Sequence, residues 1–344
     1  SFYMTSVVGK IPDPEKIEEQ LFHVGKDEDF EKIAWKIFHF QFAKNATYRE
    51  YCNYLGRNPG NCNTLRDIPF LPVDFFKRHK IITGDPHYEA VFKSSGTTGM
   101  ERSSHFLKKT GLYQKSYNLG FQMFYGLPKN YCILALLPGY AENKHSSLIS
   151  MANGLIGQSN CPESGFYLSN FDQVAKKLDA LDKKGIRVLL LGISFALMDL
   201  AESYPMKLQN TIVMETGGMK GRRKEVTRKE LHQKLKQGLG VESIHSEYGM
   251  AELLSQAYST GNGKFQTPPW MKVFTRDAYD PFDVRSNPEK CSASGAINVI
   301  DLANLYSCSF VETKDLGRLH PDSSFEVLGR MDYSDIRGCN LMVM

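Results

Sequence analysis

A chain of 344 residues that is 42% hydrophobic and 23% charged has the proportions of a globular protein with one large or two modest cores, which excludes a disordered or fibrous chain. Its 42 Lys and Arg against 38 Asp and Glu leave a formal charge of +4, far from the concentrated basic footprint of a nucleic-acid binder. The seven cysteines are scattered and never in C-x-x-C spacing, which argues against a zinc ribbon or a disulfide scaffold, and the longest apolar stretches, Ile133–Leu137 and Val188–Leu191, are far short of the roughly 20 residues that span a bilayer. The segment Ser1–Lys10 has neither a basic leader nor an apolar core, so the expected location is cytoplasmic.

Along the chain, Ile17, Leu21, Phe30, Ile33, Ile37, Phe38 and Phe42 recur at three- to four-residue spacing and predict amphipathic helices over Pro14–Tyr54. Tyr88–Lys93 alternates like a strand and runs into Ser94-Ser95-Gly96-Thr97-Thr98-Gly99. Helix and strand then alternate: strand Tyr131–Leu137, helix Ser146–Ile156, helix Phe171–Lys184, strand Ile186–Leu191, helix Ser194–Ser203, strand Thr211–Glu215, helix Lys224–Lys236 and strand Val241–His245. Such alternation predicts an α/β fold of parallel strands with crossover helices, whose ligands collect at the carboxyl ends of the strands. Short strands at Ala296–Asp301, Ser307–Glu312 and Phe325–Leu328 predict a smaller β-rich part. The expected organisation is a helical segment over 1–60, an α/β core over 61–260, and a β-rich subdomain with a C-terminal tail over 261–344.

Four hydroxyls and two glycines within Ser94–Gly99 offer backbone N–H groups and side-chain donors suited to phosphate oxygens and a bound Mg²⁺. The same composition also describes a polar surface turn, and no Walker pattern occurs in the chain. Further motifs follow in order: Glu215-Thr-Gly-Gly-Met-Lys-Gly221, Ser246-Glu-Tyr-Gly-Met-Ala-Glu252, Thr313-Lys-Asp-Leu-Gly317, and Gly329-Arg-Met-Asp332 followed by Ile336-Arg-Gly338. With Phe38-His-Phe-Gln41, Leu137-Pro-Gly-Tyr140, His145-Ser-Ser-Leu148 and Arg337-Gly-Cys-Asn-Leu341, the series resembles the adenylate-forming superfamily of acyl-CoA synthetases and luciferases, most closely its acyl-protein synthetase branch.

The resemblance implies the N-terminal-domain fold of that superfamily without its C-terminal lid subdomain, and ATP and Mg²⁺ as cofactors. It implies that Ser94, Ser95, Gly96, Thr97, Thr98 and Gly99 hold the β- and γ-phosphates, with Thr97 or Thr98 near the metal. Gly217 and Gly218 match the backbone on which adenine lies, Tyr248 and Gly249 the aromatic motif that stacks on it, and Glu252 the Mg²⁺ ligand. Asp315 matches the residue that takes the ribose hydroxyls, and Arg330 the one that reaches the ribose and α-phosphate. Two superfamily features are missing: Ala251 replaces a threonine, and the lysine after the phosphate loop is absent from Met100-Glu-Arg-Ser-Ser-His105. Cys339 matches the cysteine that receives the acyl group in this branch, and nine extended residues from Arg330 give it a reach of roughly 30 Å. Cys132 and Cys308, inside apolar strands, read as buried small hydrophobes.

The implied activity is ATP-dependent activation of a carboxylic acid, a fatty acid in the first instance, and its transfer through a cysteine thiol to an acyl-reductase-like partner protein. Three alternatives stand beside it: a ligase using CoA, a nucleotide-binding remnant without turnover, and a hydrolase or acyltransferase. The last rests on Gly192-Ile-Ser-Phe-Ala196, which is close to a nucleophile elbow at Ser194, with His245 or His320 to complete a triad.

Overall fold

A computed structural model describes residues 10–96, 101–217, 226–286 and 291–331. Three helices come first, α1 (Pro14–Gln20), α2 (Asp27–Lys44) and α3 (Ala46–Tyr54), followed by the two-residue strand β1 (Leu71–Pro72), the single turn α4 (Phe75–Arg78) and a hairpin of β2 (Ala90–Lys93) and β3 (Ser104–Leu107). Helix α5 (Thr110–Tyr125) opens the alternating stretch, with β4 (Cys132–Leu136), α6 (Ser147–Gln158), β5 (Gly165–Phe166), α7 (Phe171–Lys183) and β6 (Val188–Ile193). It continues through α8 (Ser194–Ser203), β7 (Thr211–Thr216), α9 (Arg228–Leu239), β8 (His245–Tyr248) and β9 (Ala257–Ser259). The last strands are β10 (Met271–Arg276), β11 (Val284–Arg285), β12 (Ala293–Asp301), β13 (Phe310–Leu319) and β14 (Phe325–Arg330).

The chain divides into two compact units, the first formed by Ser1–Tyr113, Ala251–Ser255 and Thr267–Met344, the second by Gln114–Met250 and Gln256–Gln266. In the first, a sheet runs in the order β1-β13-β12-β10-β11, with β14 also on β13. Helix α2 buries Phe30, Ile33, Ala34, Ile37, Phe38 and Gln41, a stripe at i, i+3, i+4, i+7, i+8 and i+11, and its ends are matched to the helix dipole by Asp27, Glu28 and Asp29 at the start and Lys44 at the end. Phe38 and Tyr48 pack on Phe310 of β13. Gln41 donates to the carbonyls of Asn304 and Leu305 and accepts from the Ser309 amide at 3.0 Å, so a helix residue fixes the turn between β12 and β13.

In the second unit the sheet order is β5-β4-β6-β7-β8-β9, parallel throughout except for β9. Every residue of β4 and β6 is buried, which their unbroken apolar runs require of a parallel sheet covered on both faces. Helix α7 buries Val174, Ala175, Leu178 and Leu181 on one face. Gly240, at φ 66°, ends α9 in the left-handed region where an L side chain is strained, and a Cβ there would lie 2.6 Å from the Lys207 Cα.

Several elements differ from the sequence-based expectation. The strand expected over Val241–His245 begins at His245 and ends at Tyr248, because residues 241–244 carry the chain back from the Gly240 cap. Strand β13 is longer than expected and takes Asp315 into its middle instead of leaving it in a turn. Helix α5 has no counterpart in the expectation; its buried stripe of Leu112, Tyr113, Ser116, Tyr117, Phe121 and Tyr125 overrides the weak helix propensity of Gly111, Gly120 and the aromatics. Cys132 is not a free apolar filler but is bonded to Cys161, with Cα atoms 5.0 Å apart. Cys308 is free and buried as expected.

Candidate functional site

Of the residues singled out in the first unit, Ser94, Ser95 and Gly96 follow β2 and form one side of the hairpin tip. Lys93 pairs with Ser104, Ser94 donates its amide to the Ser103 carbonyl at 3.1 Å, and the Ser103 amide donates to the Ser94 hydroxyl at 2.9 Å. Arg102 Nε donates to the Ser94 carbonyl at 2.6 Å, and a Cβ on Gly96 would meet its Cγ at 3.1 Å. The stem of the hydroxyl loop is therefore a fixed structure. Thr97, Thr98 and Gly99 lie outside the described residues, as do Gly218 and Cys339.

Glu252 belongs to the five-residue return of the chain to the first unit and is buried. Its backbone is held on both sides: Asn304 Nδ2 donates to the Glu252 carbonyl at 2.8 Å, while Asn304 Oδ1 accepts the Leu254 amide at 3.0 Å. Asp301 accepts the Ser255 amide and hydroxyl at 2.8 and 2.7 Å. The Ala251 carbonyl accepts from His105 Nδ1 at 2.8 Å, so Nδ1 carries the ring proton and Nε2 accepts from the Ser307 hydroxyl at 2.7 Å. Burial holds the His105 pKa down at about 4, which keeps this neutral tautomer in place at physiological pH.

The Glu252 carboxyl itself is pushed up from the ordinary carboxylate range by burial, against a hydrogen bond from Ser103 and the charge of Arg330; the carboxylate of Asp315 adds to the rise. Asp315 and Arg330 face one another across β13 and β14, with Oδ1 and Nε 4.0 Å apart. The Arg330 side chain is 77% exposed, so this pair adds little to stability. Thus the hydroxyl-loop stem, Glu252, Asp315 and Arg330 are brought together within one unit, through Ser103 and through charge.

In the second unit, Gly217, Tyr248 and Gly249 lie at the carboxyl ends of the paired parallel strands β7 and β8. Gly217 has φ 68°, so its identity has a backbone reason of its own. Tyr248 is buried with its ring edge-on to Phe265, centroids 6.0 Å apart, and a Cβ on Gly249 would stand 2.5 Å from Glu247 Oε1. Two buried carboxylates that the motif reading passed over sit between these positions. Glu215 takes Arg228 Nη1 at 2.6 Å and Ser246 Oγ at 2.7 Å, with His232 Nε2 and Ser194 Oγ at 3.3 Å. Although burial opposes its charge, His232, Arg228 and Ser246 hold its pKa below the ordinary range. Glu247 accepts the Thr216 hydroxyl at 2.6 Å, and burial, with the Glu215 charge, pushes its pKa up to about 7. The signal for both was present in the sequence, as a glutamate at the polar end of each strand.

Ser194 starts α8, is 2% exposed, and donates to Glu215 and to the Gly217 carbonyl. The carboxylate lies between serine and His232, the reverse of a nucleophile–base–acid order. His245 meets the Tyr125 hydroxyl, and His320 meets Ser292 and Glu326.

The family model described as "Acyl-protein synthetase, LuxE" matches residues 22–344. The chain belongs to this family. A curated relative, the long-chain-fatty-acid–luciferin-component ligase of Aliivibrio fischeri, is 22% identical over 340 residues, covering 90% of this chain and 86% of that one. Among solved structures, ATP-bound MatB from Rhodopseudomonas palustris superposes with a TM-score of 0.52 at 16% identity, over 70% of this chain. The chain spans 47% of that structure's length, and the likeness bears on fold alone. The α/β fold is the one the sequence resemblance implies, and family and relative together make the chain an adenylate-forming ligase.

For this acyl-protein synthetase the donor set at Glu252 fits a hard cation. The oxygen it offers belongs to a buried carboxylate with raised pKa that takes a serine hydroxyl and feels the charge of a second carboxylate, Asp315, and a divalent charge would offset what burial costs. Among the described residues, the one cluster of three potential ligand side chains within 4.8 Å is Cys132, Cys161 and Glu163, whose two sulfurs are joined to each other. A single protein carboxylate with the remaining positions left to water and phosphate is how Mg²⁺ is usually bound by nucleotide enzymes. No described helix of the synthetase is long and apolar enough to cross a membrane.

Proposed function

We propose that this acyl-protein synthetase forms an acyl-adenylate from MgATP and a carboxylic acid, a fatty acid in the first instance, and passes the acyl group to Cys339 and then to a partner protein of the acyl-reductase kind. The carboxylate oxygen attacks the α-phosphorus and pyrophosphate leaves; the Cys339 thiolate then attacks the acyl carbon, a thioester forms and AMP leaves. In this reading Ser94, Ser95, Gly96, Thr97, Thr98 and Gly99 grip the β- and γ-phosphates, with Thr97 beside the metal. Gly217, Gly218, Tyr248 and Gly249 serve the adenine, Asp315 the ribose hydroxyls, and Arg330 the ribose and α-phosphate. Glu252 would hold Mg²⁺, which when bound neutralises the charge that develops on the departing pyrophosphate.

The observation that carries this reading is Glu252, a buried carboxylate whose own carbonyl and neighbouring amides are clamped and whose pKa stays raised although the Ser103 hydroxyl, its own backbone amide and the charge of an exposed arginine all favour the charged form. The long-chain fatty acid comes from the name of the Aliivibrio relative. The test separates the half-reactions. Cys339→Ser is expected to retain ATP–pyrophosphate exchange with a fatty acid and to lose the acyl mass that the wild type gains on the Cys339 peptide, a mass removable by neutral hydroxylamine. Acyl mass on another residue, or undiminished transfer by the variant, overturns the cysteine step; acyl-CoA formed in its place would indicate CoA as acceptor.

A further inference from the structure

The imidazole of His105 spans a sequence separation of 146 residues to reach Ala251, the residue before Glu252. It stands on β3, the strand that leaves the hydroxyl loop, two residues after the Ser103 that hydrogen-bonds the Glu252 carboxyl. Both ring nitrogens are engaged, Nδ1 with the Ala251 carbonyl at 2.8 Å and Nε2 with Ser307 at 2.7 Å, and the ring packs edge-on to Phe76. It therefore has no lone pair to give a metal and no proton to exchange. Asn304 closes on Glu252 and Leu254, and its own turn is pinned by Gln41 of α2.

We infer that His105 and Asn304 are positioning residues for the cation: together they set the height and direction of the Glu252 carboxylate relative to the hydroxyl-loop stem, so that metal and phosphates are received by one rigid part. The inference rests on the reading of Glu252 as a metal ligand. Two ties to adjacent backbone groups, from side chains far apart in sequence and themselves linked through Ser307, leave the turn little freedom to pivot, and a carboxylate fixed in advance loses less entropy on taking up a cation. Outer-shell partners of this kind typically change metal affinity by about 10- to 100-fold when removed.

The experiment is calorimetric titration of a non-hydrolysable ATP analogue into the full chain at a series of free Mg²⁺ concentrations, well below each variant's melting temperature. His105→Phe keeps a ring beside Phe76 but loses both hydrogen bonds, and Asn304→Ser loses the two-sided clamp. Each is expected to raise the half-saturating Mg²⁺ at least about tenfold. His105→Asn, which retains an amide donor toward Ala251, is expected to recover part of that loss. A merely structural role would lower the melting temperature and leave the Mg²⁺ requirement where it was, and that result in folded variants overturns the inference. Glu252→Gln is the reference: if it too leaves the requirement unchanged, the metal-ligand reading itself fails. If His105→Phe does not fold, His105→Asn and Asn304→Ser decide by the same criterion, and failure of all three to fold assigns the two residues to structure and overturns the inference.

Discussion

Glu215 and Glu252 are the same residue type, both buried and both adjoining strand ends or turns, yet their surroundings treat the charge in opposite ways. Glu215 gathers Arg228, Ser246, His232 and Ser194, and its pKa falls despite burial. Glu252 has its backbone secured by Asn304 and flanked by the Ala251 tie to His105, while its carboxyl receives the Ser103 hydroxyl and feels an exposed Arg330, and its pKa rises. A carboxylate saturated with donors is a structural knot. One whose main chain is fixed but whose charge is under-compensated is suited to an incoming cation, because the protein already bears the desolvation that the cation will relieve.

The sharpest way to break this contrast is Glu252→Gln. Loss of one positioned charge at a reacting centre costs about 10²–10³ in rate, so ATP–pyrophosphate exchange should fall by that amount, while melting of the metal-free protein should be unchanged or rise because a costly buried charge has gone. A fall in melting temperature with exchange retained would make Glu252 structural. Glu215→Ala should do the reverse. It strands a partly buried arginine and a histidine that now share one acceptor, and a loss of about 3 kcal/mol in urea unfolding is expected.

Glu247 sharpens the comparison through pH. Its native pKa of about 7 stands above the usual 4.5, so between those values the folded protein holds a proton that the unfolded chain has released. Its contribution is fully present below pH 4.5 and is lost as pH rises through 7, amounting to about 3 kcal/mol at most by pH 8. Glu247→Gln should therefore stabilise the protein at pH 8 and change little at pH 5, measured by melting temperature at both. The smallest effect is expected at Ser194→Ala, which removes one 3.3 Å bond from a carboxylate that keeps three other partners: about 1 kcal/mol or less, with exchange intact. Stoichiometric labelling of Ser194 by a fluorophosphonate would contradict this.

How much of this the sequence discloses depends on the range of the interaction. The parallel strands β4 and β6 are legible because a strand covered on both faces must be apolar along its length, and α7 because its stripe repeats at helical spacing. Helix α5 is hidden by tyrosines and glycines whose local preference points elsewhere until packing decides. Asp315 looks like a turn residue beside Lys314 and Gly317, and only its pairing with Arg330 makes it part of a strand. His105, Asn304 and Gln41 are silent in the sequence for a different reason: each acts on partners 50 to 268 residues away, and neither spacing nor periodicity encodes such contacts.

The pairing of β1 with β13 has a consequence for biosynthesis. Leu71 faces Val311, about 240 residues later, so at translation rates of roughly 5–20 residues per second β1 leaves the ribosome some 10–50 s before its partner exists. The parallel sheet from Cys132 to Tyr248 is nearly contiguous and can assemble in that interval, whereas the first unit must hold α2, with its aromatic face uncovered, until β12 and β13 emerge. Nascent chains stalled before residue 310 should thus carry a folded second unit and a first unit still exposed to chaperones.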